Sequence, residues 1–154
     1  MNQESGRSMI EMIGVLGIMG VITAGSVWLV GQGFDMQKHG QLEQEVQFMV
    51  IKVKNLHSQT DTFVGLDTAA LRQMNVVPVK NPYGGTYELA VDPSNSRQFV
   101  VSINGLSQSA CKYFLAKAWS DSVGYQMSGG KNGGATGNCN ASNGKNTISI
   151  TYGD

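Results

Sequence analysis

Residues 6–34 read GRSMIEMIGVLGIMGVITAGSVWLVGQGF. From 12 to 34, 23 positions pass without a charged residue. At about 1.5 Å of rise per residue, a helix of that length covers roughly 35 Å, enough for the hydrocarbon core of a bilayer. Nine of the positions are small: Gly14, Gly17, Gly20, Thr23, Ala24, Gly25, Ser26, Gly31 and Gly33. Each Gly costs a soluble helix about 1 kcal/mol, yet Gly is common in membrane helices, where it lets backbones approach closely. Gly14, Gly17, Gly20 and Gly25 offer such packing points, so the segment suits contact with other helices as well as with lipid. A secretory signal peptide is one competing reading; its apolar core is shorter and ends at a small-x-small cut site. Here the run is long, and only Ala24-Gly25-Ser26 offers such a site. A plain signal anchor is the other.

The residues just before the run weigh against both. Glu11 stands at the edge of the apolar stretch, inside Met9-Ile10-Glu11-Met12-Ile13. A charge there costs free energy, about 2.5–3.5 kcal/mol at a helix centre and less near the interface. It therefore calls for a compensating group. Upstream, Gly6-Arg7-Ser8-Met9-Ile10-Glu11 resembles the prepilin peptidase site of type IV pilins and type II secretion pseudopilins. That site has a Gly, then the new N-terminus, then a Glu four residues on, then an apolar helix. The resemblance implies a leader over 1–6, cut between Gly6 and Arg7. It also implies a transmembrane and filament-core helix over 7–34, and a head over 35–154. Such a cut keeps the helix on the mature protein, whereas ordinary signal cleavage discards it. By the same resemblance, Glu11 of one subunit meets the α-amine of its neighbour. That pair offsets the burial of both charges and sets axial register. The family's first mature residue is usually apolar and N-methylated; Arg7 departs from that pattern.

Composition bounds the rest. The 154 residues allow one domain with one core. Lys plus Arg and Asp plus Glu number 11 each, which argues against the clustered excess cation that nucleic acid requires. The 20 Gly residues have no three-residue period, so collagen is excluded. Cys111 and Cys139 are the only cysteines. Without clustered His they cannot make a four-ligand zinc site, and their meaning depends on whether the chain is exported. The pilin resemblance implies that they pair, closing the C-terminal region that such subunits display on a filament.

Along the chain, Leu42, Val46, Met49, Val53 and Leu56 recur at alternating steps of four and three, an amphipathic stripe that faces a core. Gly31, Gly33 and Gly40 predict a bend or local unwinding between the two halves of the long helix. Asp67 is placed to cap a short helix over 68–74, which Pro78 keeps from continuing. Asn81-Pro82-Tyr83-Gly84-Gly85 is a turn by composition. It looks like the Pro-aromatic-Gly-Gly turn that leads into the first strand of type IVb-like pilins. Strands are expected over 86–91 and 98–103 as an antiparallel hairpin, and over 147–152. Ser107 reads as the N-cap of a helix over 108–119, with Cys111, Phe114, Leu115, Ala118 and Trp119 on one face. Residues 124–146, rich in Gly, Asn and Ser, read as a surface loop.

Nothing in the chain argues for catalysis. His39 and His57 read as solvated helix residues. Gly129-Gly130-Lys131-Asn132 fails as a phosphate loop, because Tyr125 and Asn132 stand where such a loop needs Gly and Ser or Thr. No calcium-loop spacing occurs. The expectation is thus an α+β fold: a long N-terminal α-helix with a membrane-spanning first half, an antiparallel β-sheet head of three to five strands, and a C-terminal disulfide-bounded loop region. The resemblance implies a pilus subunit, not an enzyme, with no cofactor, no metal and no nucleic-acid partner. Its partners would be copies of itself, prepilin peptidase and the pilus assembly machinery. It would lie in the inner membrane before assembly and in an extracellular filament afterwards, serving attachment or aggregation. A minor pilin or pseudopilin that primes or caps a filament, and an adhesin displayed on one, are the alternatives.

Overall fold

The structure is a computed structural model describing residues 4–128, 139–141, 144 and 146–153. Two compact units divide the chain, Met1–Gln37 and Lys38–Asp154.

Helix α1 spans Glu4–Leu56. It is helical through Gly31, Gly33 and Gly40, so the unwinding expected there does not occur. Breaks in long helices arise at Pro, at π-bulges or where a side chain inserts into the hydrogen-bond ladder. The first Pro is Pro78, and nothing lies within 4 Å of where a Cβ would stand at these three glycines.

Within the second unit, Leu42, Val46, Met49 and Val53 of α1 are fully buried. Leu56, expected to extend that stripe, is instead exposed, and Val50 is buried. A strict seven-residue repeat drifts about 20° per heptad around a straight helix, which carries Leu56 off the core face.

Four strands make one antiparallel sheet: β1 (Tyr87–Asp92), β2 (Asn95–Leu106), β3 (Ser122–Ser128) and β4 (Asn146–Gly153), in the order β1-β2-β4-β3. The register aligns buried residues in rows. Tyr87 pairs with Ile103 and Ile103 with Ile148; Leu89 pairs with Val101 and Val101 with Ile150; Phe99 pairs with Tyr152. All of these side chains join α1's buried residues in the core. Because side chains alternate across a strand, this register sends the polar partners to the other face.

Strand β3 occupies the start of the expected 124–146 loop. Val123 and Tyr125 favour a strand, Gly124 between them does not, and pairing with β4 fixes the conformation. Residues 129–138, 142, 143 and 145 of that loop lie outside the described residues, and the Gly129–Asn132 run falls among them.

Helix α2 (Thr68–Gln73) is capped by Asp67, whose carboxylate accepts from the N–H groups of Ala69 and Ala70. It also guards the sheet's edge. The Thr68 hydroxyl accepts from the Leu89 N–H and donates to the Leu89 carbonyl, both at 2.9 Å, and Arg72 donates to the Tyr87 carbonyl at 2.8 Å. Helix α3 (Gln108–Ala116) starts at its Ser107 cap but ends three residues before the expected 119. Lys117 turns extended, and its ammonium meets the Glu43 carboxylate at 2.6 Å. Trp119, beyond the helix, is still buried against Phe114, whereas Ala118 is exposed.

Tyr87 ties β1 to α1. Its hydroxyl, on a fully buried side chain, donates to Glu45 Oε2 at 2.6 Å. Burial raises its pKa above the usual 10.0, and the hydrogen bond to the Glu45 carboxylate and that group's charge raise it further. The Tyr152 pKa is raised too, by burial and then by the charge of Asp121. A raised folded-state pKa favours folding fully below the unfolded value, and that contribution is lost as pH climbs past it. The urea midpoint is therefore expected to hold steady from pH 7 to about 9.5 and to fall above about 10. Tyr87→Phe should shallow that alkaline fall and cost about 1.5–3 kcal/mol at neutral pH, since its hydrogen bond has a charged acceptor.

Candidate assembly helix and disulfide arm

Between Met12 and Phe34 α1 carries no charged residue and presents apolar side chains all round. Each large hydrophobic side chain from Met9 to Met36 is 53–75% exposed. This is one helix long and apolar enough to cross a membrane, with a mean hydropathy of 2.1 over its most apolar window. Its hydroxyls are satisfied internally: Thr23 Oγ1 donates to the Met19 carbonyl and Ser26 Oγ to the Ile22 carbonyl, each at 2.8 Å. Bonded in this way, these two hydroxyls can enter lipid or a bundle of other helices without an unpaired donor. Gly14, Gly17, Gly20 and Gly25 leave open space where side chains would stand, so a neighbouring backbone can come close there.

The expected processing and register residues lie at the start of this helix. Gly6 and Arg7 are within α1, which begins at Glu4. Glu11 is exposed, with Met9, Ile10, Met12 and Ile13 around it all more than 60% exposed. Any partner that covers these residues covers the carboxylate as well.

At the other end of the chain, Cys111 of α3 and Cys139 form a disulfide across a separation of 28 residues, with 5.8 Å between their Cα atoms. The arm that carries Cys139 has a second anchor. Asn146 is fully buried, and its amide donates to the carbonyls of Leu106 and Asn140 while its oxygen accepts from the Asn140 N–H at 2.6 Å. Sequence reasoning passed over Asn146, since an Asn in an Asn-rich stretch carries no local mark of burial. Replacing both cysteines with Ser is expected to lower stability by about 3–4 kcal/mol in the chain-entropy account, measured by urea unfolding. A loss below about 1 kcal/mol would mean that Asn146 alone holds the arm.

The histidines are not the solvated residues expected from sequence. His39 is half-buried, stacked on Tyr113 with ring centroids 4.1 Å apart, edge-on to Phe114 and hydrogen-bonded through Nδ1 to the Tyr83 hydroxyl. His57 is half-buried, with Nδ1 3.1 Å from the Val53 carbonyl. Among the described residues no three His, Cys, Asp or Glu side chains gather as metal ligands.

A long apolar helix, a four-stranded antiparallel sheet and a disulfide-held C-terminal arm together make the type IV pilin fold, an α+β architecture. Two solved structures share it: a type IVb pilin from Salmonella typhi (TM-score 0.55, 16% identity) and TcpA, a type IV pilin from Vibrio cholerae El Tor biotype (TM-score 0.56, 11% identity). Each likeness covers 75% of this chain, and 99% and 98% of the respective neighbour. In sequence the chain is similar to the toxin coregulated pilin of Vibrio cholerae, 28% identical over 133 residues, covering 73% of this chain and 57% of that protein. It is also similar to the major structural subunit of bundle-forming pilus from Escherichia coli O127:H6, 26% identical over 121 residues, covering 70% and 62%. The matched region thus spans little more than half the length of these curated relatives. No family model matches the chain. In sequence the proteins it resembles are a pilin and a pilus subunit, and in fold they are type IV pilins, one of them type IVb.

Proposed function

We propose that this protein is a structural subunit of a type IVb-like pilus, held in the inner membrane by α1 and then polymerised through it. The observation that carries this reading is the all-round apolar surface of α1 on a chain whose head has the pilin fold. In the proposed cycle, prepilin peptidase cuts between Gly6 and Arg7, and the assembly machinery moves the subunit from the membrane into the filament. Contact with neighbouring helices then replaces contact with lipid along α1. Glu11 pairs with the neighbouring subunit's α-amine, and the disulfide-held arm lies on the outer surface, where attachment or aggregation takes place. The likeness to major structural subunits favours the abundant subunit over a priming or capping one.

The deciding experiment is intact-mass and N-terminal peptide analysis of surface-sheared filaments from cells making the chain. A mature protein starting at Arg7, two hydrogens lighter for the Cys111–Cys139 bond, and dominant in the preparation is the expected result. A chain that still starts at Met1, or one cut near Ala24, would overturn the proposal.

A further inference from the structure

The C-terminal end of α1, the turn after it and the corner of β2 and β4 enclose a cleft of about 310 Å³, with Lys54, His57, Ser58, Thr60, Phe63 and Arg97 in its lining. That volume lies at the lower end of small-ligand sites, about 300–1,000 Å³. We propose that this cleft binds an acidic monosaccharide unit, a pyranose bearing one carboxylate.

Three features carry the proposal. The first is charge. Lys54 is half-buried and makes no hydrogen bond or ion pair among the described residues. Among the described residues the Arg97 guanidinium makes one ion pair, with Asp61 at 3.9 Å, and both side chains are largely exposed. Two cations against one carboxylate leave one positive charge over, which matches a ligand carrying one negative charge.

The second is the state of the hydroxyls. The end of α1 leaves backbone carbonyls without helical partners, and the cleft's own donors serve the backbone there. Ser58 Oγ donates to the Asn55 carbonyl at 2.9 Å, and Thr60 Oγ1 lies 3.2 and 3.0 Å from the carbonyls of His57 and Thr62. His57 Nδ1 sits against the Val53 carbonyl, which in the neutral ring makes Nδ1 the donor and Nε2 an acceptor. The cleft therefore offers acceptors to the hydroxyls of a ligand, and charged donors to its carboxylate.

The third is a fixed apolar ring. Phe63 is half-buried, held 4.7 Å from Phe99 and 5.2 Å from His57 between ring centroids. Such a ring suits the C–H face of a pyranose. A bare anion would gain nothing from it, and a neutral sugar would leave the spare cation unused.

The test is saturation-transfer NMR on the full chain in detergent micelles, with glucuronate, glucose and acetate as probes at millimolar concentration. This readout needs no filament, so it stands or falls apart from the pilus proposal. Glucuronate is expected to bind, with glucose and acetate each at least about tenfold weaker. Lys54→Gln and Arg97→Gln should each weaken glucuronate about tenfold, the scale of one charge-assisted hydrogen bond. Asp61→Asn, which removes the competing carboxylate, should strengthen it severalfold, a gain that a purely structural role for these residues would not produce. No transfer from glucuronate, an equal response to glucose or to acetate, or binding indifferent to Lys54→Gln would each overturn the proposal.

Discussion

Glu11→Gln is expected to cut the yield of assembled filaments at least about a hundredfold while leaving the head folded. In the proposed filament the apolar surface around Glu11 is covered by neighbouring helices, so the carboxylate and the α-amine it meets leave water together. Removing one partner of a buried pair costs about 3–5 kcal/mol, because the other charge is left uncompensated. At 1.4 kcal/mol per factor of ten, that exceeds a hundredfold in each subunit contact. The substitution changes no volume and lies outside the head unit, which starts at Lys38. Sheared filament yield, with head unfolding measured beside it, is the check. Wild-type yield from Glu11→Gln would place the register elsewhere, whereas a head that melts earlier would mean the effect is not one of assembly.

Gly85→Ala is expected to remove about 4 kcal/mol or more of head stability, a large share of the roughly 5–15 kcal/mol that holds an ordinary domain folded. A Cβ at Gly85 would stand 1.8 Å from the Asn104 carbonyl oxygen and 2.8 Å from the Gly105 Cα. Both obstacles are backbone, so no side-chain rotation relieves the clash. The strands must separate instead, and what holds them there is the turn that begins at Asn81. Its buried amide donates to the Asn104 carbonyl at 2.7 Å, and its oxygen accepts from the N–H groups of Tyr83 and Gly85. Gly105, at a φ of +80°, completes the close approach. Gly84→Ala is the matched comparison: its φ is +81° but nothing lies within 4 Å of the new Cβ. It should cost only about 1–2 kcal/mol, the left-handed penalty alone. Urea unfolding of the two variants separates the effects, and a loss at Gly85 no larger than that at Gly84 would mean that the backbone gives way at the close approach at little cost.

The long helix, its capped successors and the alternating strands were legible in the sequence because each has a signature within a few residues. The uncharged run from 12 to 34 reads as one helix long enough to cross a bilayer's core. Asp67 and Ser107 mark helix starts because a short oxygen-bearing side chain satisfies N–H groups two or three residues away. The buried rows of β1, β2 and β4 follow from a two-residue period. The stripe on α1 was found as well, save for its last member, where helix geometry drifts from a strict heptad.

The sequence by itself determined the long apolar helix, the α+β class, the helix starts and the faces of three strands. Tertiary structure alone decided the rest. It made Gly124 and the residues around it into β3 by pairing them with β4. It also set α2 over the edge of β1, folded His39 between aromatic rings, and buried Asn81 and Asn146 as clamps. These features join residues far apart in the chain, His39 with Tyr83 and, farther still, with Tyr113 and Phe114. Contacts at that range carry no period and no local propensity. They follow from which surfaces a chain can bury together once its hydrogen bonds are satisfied.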